Sequence, residues 1–504
     1  MYNSLMAEYA IAVFDVGKTN KKVLVYNERL ELLDSVYKVF PVEEQNGVEV
    51  EPIEDVETWF IEHLRRFGEQ YSIRAISVTT HGGSFVAVGE DGKPSVPMLS
   101  YTHEPGKTFH EEFYKKVGDP GELQRKTATL VLGALINPAK GIYFSQKEWP
   151  EEWKKTKHIL FFPQYWGYRM TGEVASDYTY AGCHTYLWDY ERWDWSDVAD
   201  NLGVRELMPE RIGRSWDILG TITEEFGEKT GLSRDTIVTL GIHDSNSSLL
   251  PYLIKKKNEQ FVLNSTGTWC VAMHPTDKVE FSDDEIGKSV FFNISAFGTP
   301  VKTTILAGGL EFETYTEILK KLYGGEELPD FNRALYQRII KEKGHFILPS
   351  VLGGTGQFPD SKPRVVENGK VYPLEDIQEG RSVPEFFNDF PAAYATLNLS
   401  LAIQTEISFQ RVDLPEGGSI YTEGGFRNNP DYNALLTAFF PTAPVYLTGM
   451  EEATSFGAAL LAKSAQEEIP VEQLGELFAI DTQEVKRVDF ENLQEYVSAF
   501  TDHL

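Results

Sequence analysis

Cysteine is nearly absent from this 504-residue chain, in which Cys183 and Cys270 are the only two. Two thiols cannot build a disulfide framework, and neither falls in a spacing typical of metal ligands. Basic residues are scarce beside acidic ones, 47 Lys and Arg against 76 Asp and Glu, for a formal net charge of −29. Phosphate backbones and anionic lipid surfaces need a basic footprint, so nucleic acid and membrane are disfavoured as partners. Long apolar runs are missing as well, and no stretch approaches the roughly 20 residues that span a bilayer. The first residues show neither a basic n-region nor a long apolar h-region. These absences point to a soluble, cytoplasmic protein. What is present is 41% hydrophobic and 13% aromatic residues, enough for large packed cores. The length exceeds what one core usually supports, so two domains are expected.

The most informative stretch is 241–273. A buried-type strand at 237–240 delivers Asp244 into a turn that opens a short helix. A second strand at 260–263 then ends in Ser265-Thr266-Gly267-Thr268 before Trp269 resumes the sheet. A turn of hydroxyl residues and glycine offers backbone N–H groups with little bulk, which is how a chain makes a concave anion site. A carboxylate just upstream suggests a base facing a phosphate. The plainer alternative makes Asp244 a helix N-cap and 266–268 an ordinary hairpin turn, and on this stretch alone the two stand about even.

The same turn chemistry occurs near the start. The strand 11–14 ends at Asp15-Val-Gly17-Lys18-Thr19-Asn20, and strands at 23–26 and 32–39 follow. An amphipathic helix at 53–71, with Val56, Phe60, Leu64 and Phe67 on one face, leads to a buried strand at 75–79. The second half repeats the order, with strands at 260–263, 270–274 and 289–294, a helix at 392–409 and a strand at 419–422. A helix at 430–439, a strand at 445–447 and a helix at 455–463 come next, Ser455 standing at an N-cap position. The acidic stretch beyond Lys463 reads as a solvated helical tail docked by Leu474, Leu477 and Phe478. This pattern describes two α/β domains of like topology facing each other over a cleft. The interval 80–235 is a large polar and aromatic insertion where substrate groups are usually read. Its Trp188, Trp193 and Trp195 read as packing. Gly424-Gly425-Phe-Arg-Asn428-Asn429, between a strand and a helix, suits either close approach to a flat ligand or a tight connection that needs glycine sterically.

Asp15-x-Gly17-x-Thr19, Gly241-x-His-Asp244, Ser265-Thr-Gly-Thr268, Thr422-Glu-Gly-Gly425 and Glu452-Ala-Thr-Ser-Phe-Gly-Ala-Ala459 occur in this order. Together they resemble the FGGY family of carbohydrate kinases over nearly the whole chain. The resemblance implies two actin-like (ribonuclease H-like) ATPase domains, 1–248 with the sugar-binding insertion and 249–504 with the nucleotide site. It implies ATP and Mg²⁺ as cofactors and a small sugar as the other partner, with a homodimer left open. Asp244 would be the general base. Asp15, Gly17, Lys18, Thr19, Asn20 and Ser265 to Thr268 would surround the phosphates, with Asp15 nearest the metal. Lys21 or Lys22 could also add charge there. Gly424, Gly425, Asn428 and Asn429 would face the adenosine, and His81, Gly82, Ser84, Tyr101, His103, Glu104 and His184 the sugar. Within the family the likeness runs towards kinases of L-fuculose and L-rhamnulose, which implies phosphorylation at the primary C1 hydroxyl of an L-6-deoxy ketohexose. Ketopentoses such as xylulose or ribulose, and polyols, are the alternatives. Ser84 stands where those kinases carry an aspartate, Cys183-His184 where they carry small hydroxyl residues, and Gly353-Gly-Thr-Gly356 where the family has a Gly-Glu-Arg loop. From other classes, the same fold would also suit an actin-like ATPase or a sugar-binding regulator.

Overall fold

Two sheets of like build organise the computed structural model, which describes residues 9–325, 327–450 and 452–504. In the first, Ala10–Val16 pairs antiparallel with Asn20–Asn27, which pairs antiparallel with Leu32–Val39. Ile73–Thr80 then lies parallel to Ala10–Val16. A parallel return needs a crossover, and the helix Ile53–Gly68 supplies it by burying Val56, Phe60, Leu64 and Phe67. The rings of Phe14 and Phe60 stack at 3.9 Å where helix meets sheet. Ile237–Thr239 adds parallel to Ile73–Thr80 and carries Ile218–Thr221 antiparallel at the edge.

The second sheet repeats this order and direction. Phe261–Thr266 pairs antiparallel with Cys270–Pro275, and that strand antiparallel with Pro300–Leu306. Ser419–Gly424 lies parallel to Phe261–Thr266, Val445–Thr448 parallel to it in turn, and Thr482–Glu484 antiparallel at the far edge. The third strand of the repeat is therefore Pro300–Leu306. The segment expected in that role, Val290–Ile294, is an added edge strand beyond it. Both are short and apolar, and composition does not reveal which one is adjacent to Cys270–Pro275.

Two helices join the halves. Asp244–Lys255 leaves the first sheet, and Ala453–Glu467 returns from the second to lay Ala458, Ala459 and Ala462 against Ile11, Val13 and Ala75. They cross so closely that a Cβ on Gly457 would lie 2.0 Å from the Ser247 carbonyl oxygen. The expected boundary at 248/249 falls inside the continuous helix Asp244–Lys255, and the chain passes to the second sheet over 256–260. The C-terminal stretch also departs from a solvated helix. It contributes the edge strand Thr482–Glu484 and the helix Leu493–Thr501, which buries Leu493, Tyr496 and Phe500. Leu474 is buried and Phe478 packs on Phe456, but Leu477 is 48% exposed. Trp188 packs edge-on against both Trp193 and Trp195, as the packing role requires.

Candidate active site

The first hairpin turn is shaped by a lysine. Lys21 Nζ donates to the carbonyl oxygens of Gly17 (3.0 Å) and Lys18 (2.8 Å). In a trans peptide the C=O and the next N–H point opposite ways, so the amides of Lys18 and Thr19 turn away from Lys21. Lys21 is thereby engaged in shaping the turn, and Lys22 pairs with Glu452 at 2.5 Å. Of the three lysines, only Lys18 lines the cleft, its Nζ 2.5 Å from Glu51 and from Ser100 and 4.8 Å above the Tyr101 ring. Asn20 starts the second strand opposite Val39, exposed and outside the cleft. Ser265 and Thr266 belong to the strand rather than the turn, and the turn proper is Gly267 to Trp269, closed by Gly267 N donating to Trp269 O.

Asp244 lies between the hairpins. Ile242–His243 pairs with Thr79 and Thr80 at the end of the first sheet, His243 takes the N-cap position, and Asp244 is the first helical residue. Its Oδ1 accepts from the amide (2.6 Å) and hydroxyl (3.4 Å) of Ser245. The N-cap alternative therefore fails, since His243 holds that position. The Asp244 side chain keeps 31% exposure, and burial of its surroundings pushes the carboxyl up to about 6. A buried polar chain fixes this segment from behind. Asp177 accepts from Gln164 Nε2, Ser215 Oγ and both the amide and hydroxyl of Thr179, whose Oγ1 in turn accepts from the His243 amide.

Asp15 sits deeper, its Oδ2 accepting from Ser455 Oγ at 2.7 Å and lying 3.8 Å from Lys22 Nζ. Burial raises its carboxyl to about 6, Lys22 and Ser455 oppose the rise, and the charge of Asp244 adds to it. Ser455 is thus not an N-cap, because the helix starts at Ala453 after Glu452. It sits within the first turn and tethers the helix to the first sheet.

Asp244 and both hairpins open on a cavity of about 380 Å³. His81, Gly82, Tyr101 and His184 line it, as the sequence suggests. His81 is held neutral, since burial lowers its imidazole to about 4, and its Nε2 has no partner among the described residues. Three expected sugar contacts lie elsewhere. Ser84 is buried behind the cavity, its amide and carbonyl both bound to the Tyr180 phenol. His103 accepts the Glu49 amide at Nδ1 and leans on Phe144. Glu104 accepts from the amides of Gly106 and Ala134 and pairs with His110. The turn after Ser100 aims Tyr101 inward, which puts residues 103 and 104 on its outer side. The sequence reading missed Cys183, His243, Phe291, Asn293 and Ile305, which also line the cavity. Phe291 and Asn293 were legible in principle, because alternate residues of one strand share a face.

Beside the second hairpin, the pairing of Thr266 with Gly424 brings residues 267–268 and 424–425 side by side. Gly424 is required sterically: its φ is +77° and a Cβ would lie 2.0 Å from the Thr266 carbonyl oxygen. Gly425 is exposed, and among the described residues a Cβ there would meet that oxygen alone, at 3.7 Å. Asn428 is exposed, but Asn429 is used internally, capping the helix Pro430–Phe439 at the Tyr432 amide and donating to Asn398 Oδ1. Its side chain is therefore not free to bind a base.

Sequence comparison now bears on this cleft. A family profile for the N-terminal domain of the FGGY family of carbohydrate kinases matches residues 10–251. A second, for the FGGY C-terminal domain, matches residues 258–470. The chain belongs to the FGGY family of carbohydrate kinases. Among characterised relatives, a xylulose kinase from Lactococcus lactis is 24% identical over 81% of this chain and 77% of its own. A rhamnulokinase from Halalkalibacterium halodurans is 25% identical over 52% of this chain and 55% of its own. A carbohydrate kinase structure from Novosphingobium aromaticivorans superposes with a TM-score of 0.78 over 99% of both chains, at 24% identity. The fold is accordingly the two-domain actin-like ATPase fold, and the enzyme is a carbohydrate kinase whose substrates are ATP and a sugar. Among the described residues no helix is long and apolar enough to cross a membrane. The exposed turns 267–268 and 424–425 fit an elongated phosphate-bearing nucleotide. The Asp15 carboxylate supplies the oxygen-donor chemistry that Mg²⁺ prefers.

Proposed function

We propose that this kinase transfers the γ-phosphoryl group of ATP to the primary hydroxyl of a ketose, with Asp244 as the general base. The observation that carries the reading is the placement of one partly exposed carboxylate, raised to about 6, between two glycine-threonine hairpins on one shared cavity. Such a carboxyl is largely ionised at neutral pH yet more basic than a free aspartate, which suits proton acceptance from an alcohol. The amides of Lys18, Thr19 and Thr268 would offer fixed dipoles for phosphate oxygens without reorganisation during transfer. Lys18 adds positive charge at the same wall. Asp15 would hold Mg²⁺, directly or through water, and the ion would neutralise charge on the nucleotide phosphates. His81 and Asn293 would hold sugar hydroxyls, and the cavity walls would exclude water so that the sugar rather than solvent receives the phosphoryl group.

The favoured sugar is an L-6-deoxy ketohexose phosphorylated at C1. Supporting it is the apolar wall of Leu132, Ile136, Phe291 and Ile305, which would accept a methyl group more readily than a sixth hydroxyl. A ketopentose is the second reading, favoured by the longer match to a xylulose kinase. A coupled assay over L-fuculose, L-rhamnulose, xylulose, ribulose and glycerol decides between them. The expected result is the highest kcat/KM with a 6-deoxy sugar, and turnover confined to glycerol or a pentose contradicts it.

A further inference from the structure

Three side chains that the phosphoryl-transfer reading leaves without a part meet on the cavity wall beside Asp244. Cys183, His184 and His243 each place a ligand atom within 4.8 Å of the other two. Cys183 Sγ lies 3.5 Å from His243 Nε2, and Asp244 Oδ1 lies 3.1 Å from that same nitrogen. Ligands at 2.0–2.3 Å around a tetrahedral ion stand roughly 3.3–3.7 Å apart, so two edges of such a polyhedron are already close to length. Gly82 leaves room at the centre, since a Cβ there would lie 2.8 Å from His184 Nε2 and 2.9 Å from His243 Nε2. Behind the site, the fully buried Asn246 lies 3.4 Å from His243 Nδ1, and its Oδ1 has no partner among the described residues. With the amide turned over, that oxygen accepts from His243 Nδ1–H and leaves the Nε2 lone pair facing Cys183. This is the outer-shell arrangement that orients a metal-ligating histidine.

We propose that Cys183, His184 and His243 bind a zinc-class divalent cation, with Asp244 as fourth ligand, and that this ion and the sugar exclude one another. A thiolate and two imidazoles suit Zn²⁺ or Co²⁺ and not Mg²⁺, which prefers oxygen, so the site is separate from the one at Asp15. Binding forms an Sγ–metal bond and releases the Cys183 thiol proton to solvent. The ion draws on the carboxylate assigned as the base, so the inhibitory consequence rests on the kinase reading, whereas binding itself does not. The device would make sugar phosphorylation responsive to free zinc.

The test uses the full chain, stripped of metal by a chelator and titrated with Co²⁺ alone. The expected result is one equivalent of Co²⁺ with a thiolate-to-cobalt charge-transfer band, abolished in Cys183→Ser and retained in Cys270→Ser, whose buried thiol lies outside the cluster. His184→Ala, at a half-buried position, should weaken Co²⁺ binding at least about tenfold and serves if Cys183→Ser does not fold. Absence of the band in the native chain, or its survival in Cys183→Ser, overturns the site. In kinase assays at saturating Mg·ATP, Zn²⁺ should raise the apparent KM for the sugar, and a chelator should reverse this. Metal binding without competition against sugar overturns the exclusion. Should Asp244 prove not to be the base, the cobalt titration still stands by itself, so the two failures are distinguishable.

Discussion

Glu423, buried beside the second hairpin, shows how far single residues here are held from their behaviour in water. It lies 5% exposed on the strand beside Ser265, accepting from the Tyr252 hydroxyl at 3.1 Å. Burial raises its carboxyl to about 7, and the hydroxyls of Ser265, Tyr252 and Ser248 only partly oppose the rise. The folded state therefore holds this proton more tightly than the unfolded chain does. Its contribution to stability is full below the ordinary value of 4.5 and is lost as pH rises through about 7. Glu423→Gln removes that dependence. Thermal melting between pH 5 and pH 8 should show the native chain losing on the order of 3 kcal/mol more than the variant, and parallel curves would refute the burial argument. At Gly425 the expectation concerns the nucleotide: Leu there should weaken ATP binding by steric exclusion while sugar binding survives, as titration calorimetry can read. Loss of sugar binding with ATP binding intact would reverse the assignment. Individual residues were also where the sequence was hardest to read. That the chain turns between strands at 17–19 and again at 267–269 could be read from the sequence alone, because tight turns have few chemical solutions. Ser84, His103, Glu104 and Asn429 could not be placed, since a polar residue near a motif gives no sign of whether its hydrogen bonds face inward or are taken up by the local backbone. The Cys183–His184–His243 cluster was invisible for a related reason: about 60 residues separate its parts, and tertiary contacts such as the His243 amide to the Thr179 hydroxyl set them together.

At the scale of elements, the repeat of strand, turn, strand and crossover helix was legible from periodicity and turn chemistry. Its third strand in the second half was misplaced, because Val290–Ile294 and Pro300–Leu306 carry the same kind of pattern and differ only in neighbours. The crossing of Asp244–Lys255 over Ala453–Glu467 was not legible at all, since it depends on glycine meeting backbone. A methyl at Gly457 would press on the Ser247 carbonyl at 2.0 Å, with the Ser247 hydroxyl already bonded to Thr454 O. Neither helix backbone can move without disturbing Asp244 or Asp15. Gly457→Ala should therefore cost about 3 kcal/mol, the upper end for overpacking, and lower the melting temperature. An unchanged melting temperature would mean that the crossing is looser than its geometry.

For the whole molecule, the two halves matter only together. One hairpin, Asp15 and Asp244 come from the first sheet and its outgoing helix, and the other hairpin and the 424–425 turn come from the second. Ser455 to Asp15 and Glu452 to Lys22 are polar ties from the start of the returning helix to the first sheet. In the proposed reaction the base from one half would face phosphates held by both. The measurement that bears most directly on this is kcat for Asp244→Asn with the best sugar of the panel, beside sugar and Mg·ATP affinities for the same protein. Asn keeps the size of the side chain but cannot take the proton, so the expected result is a fall of about 10²–10⁴ in kcat with both affinities within a few-fold. Near-normal turnover in Asp244→Asn would contradict the account.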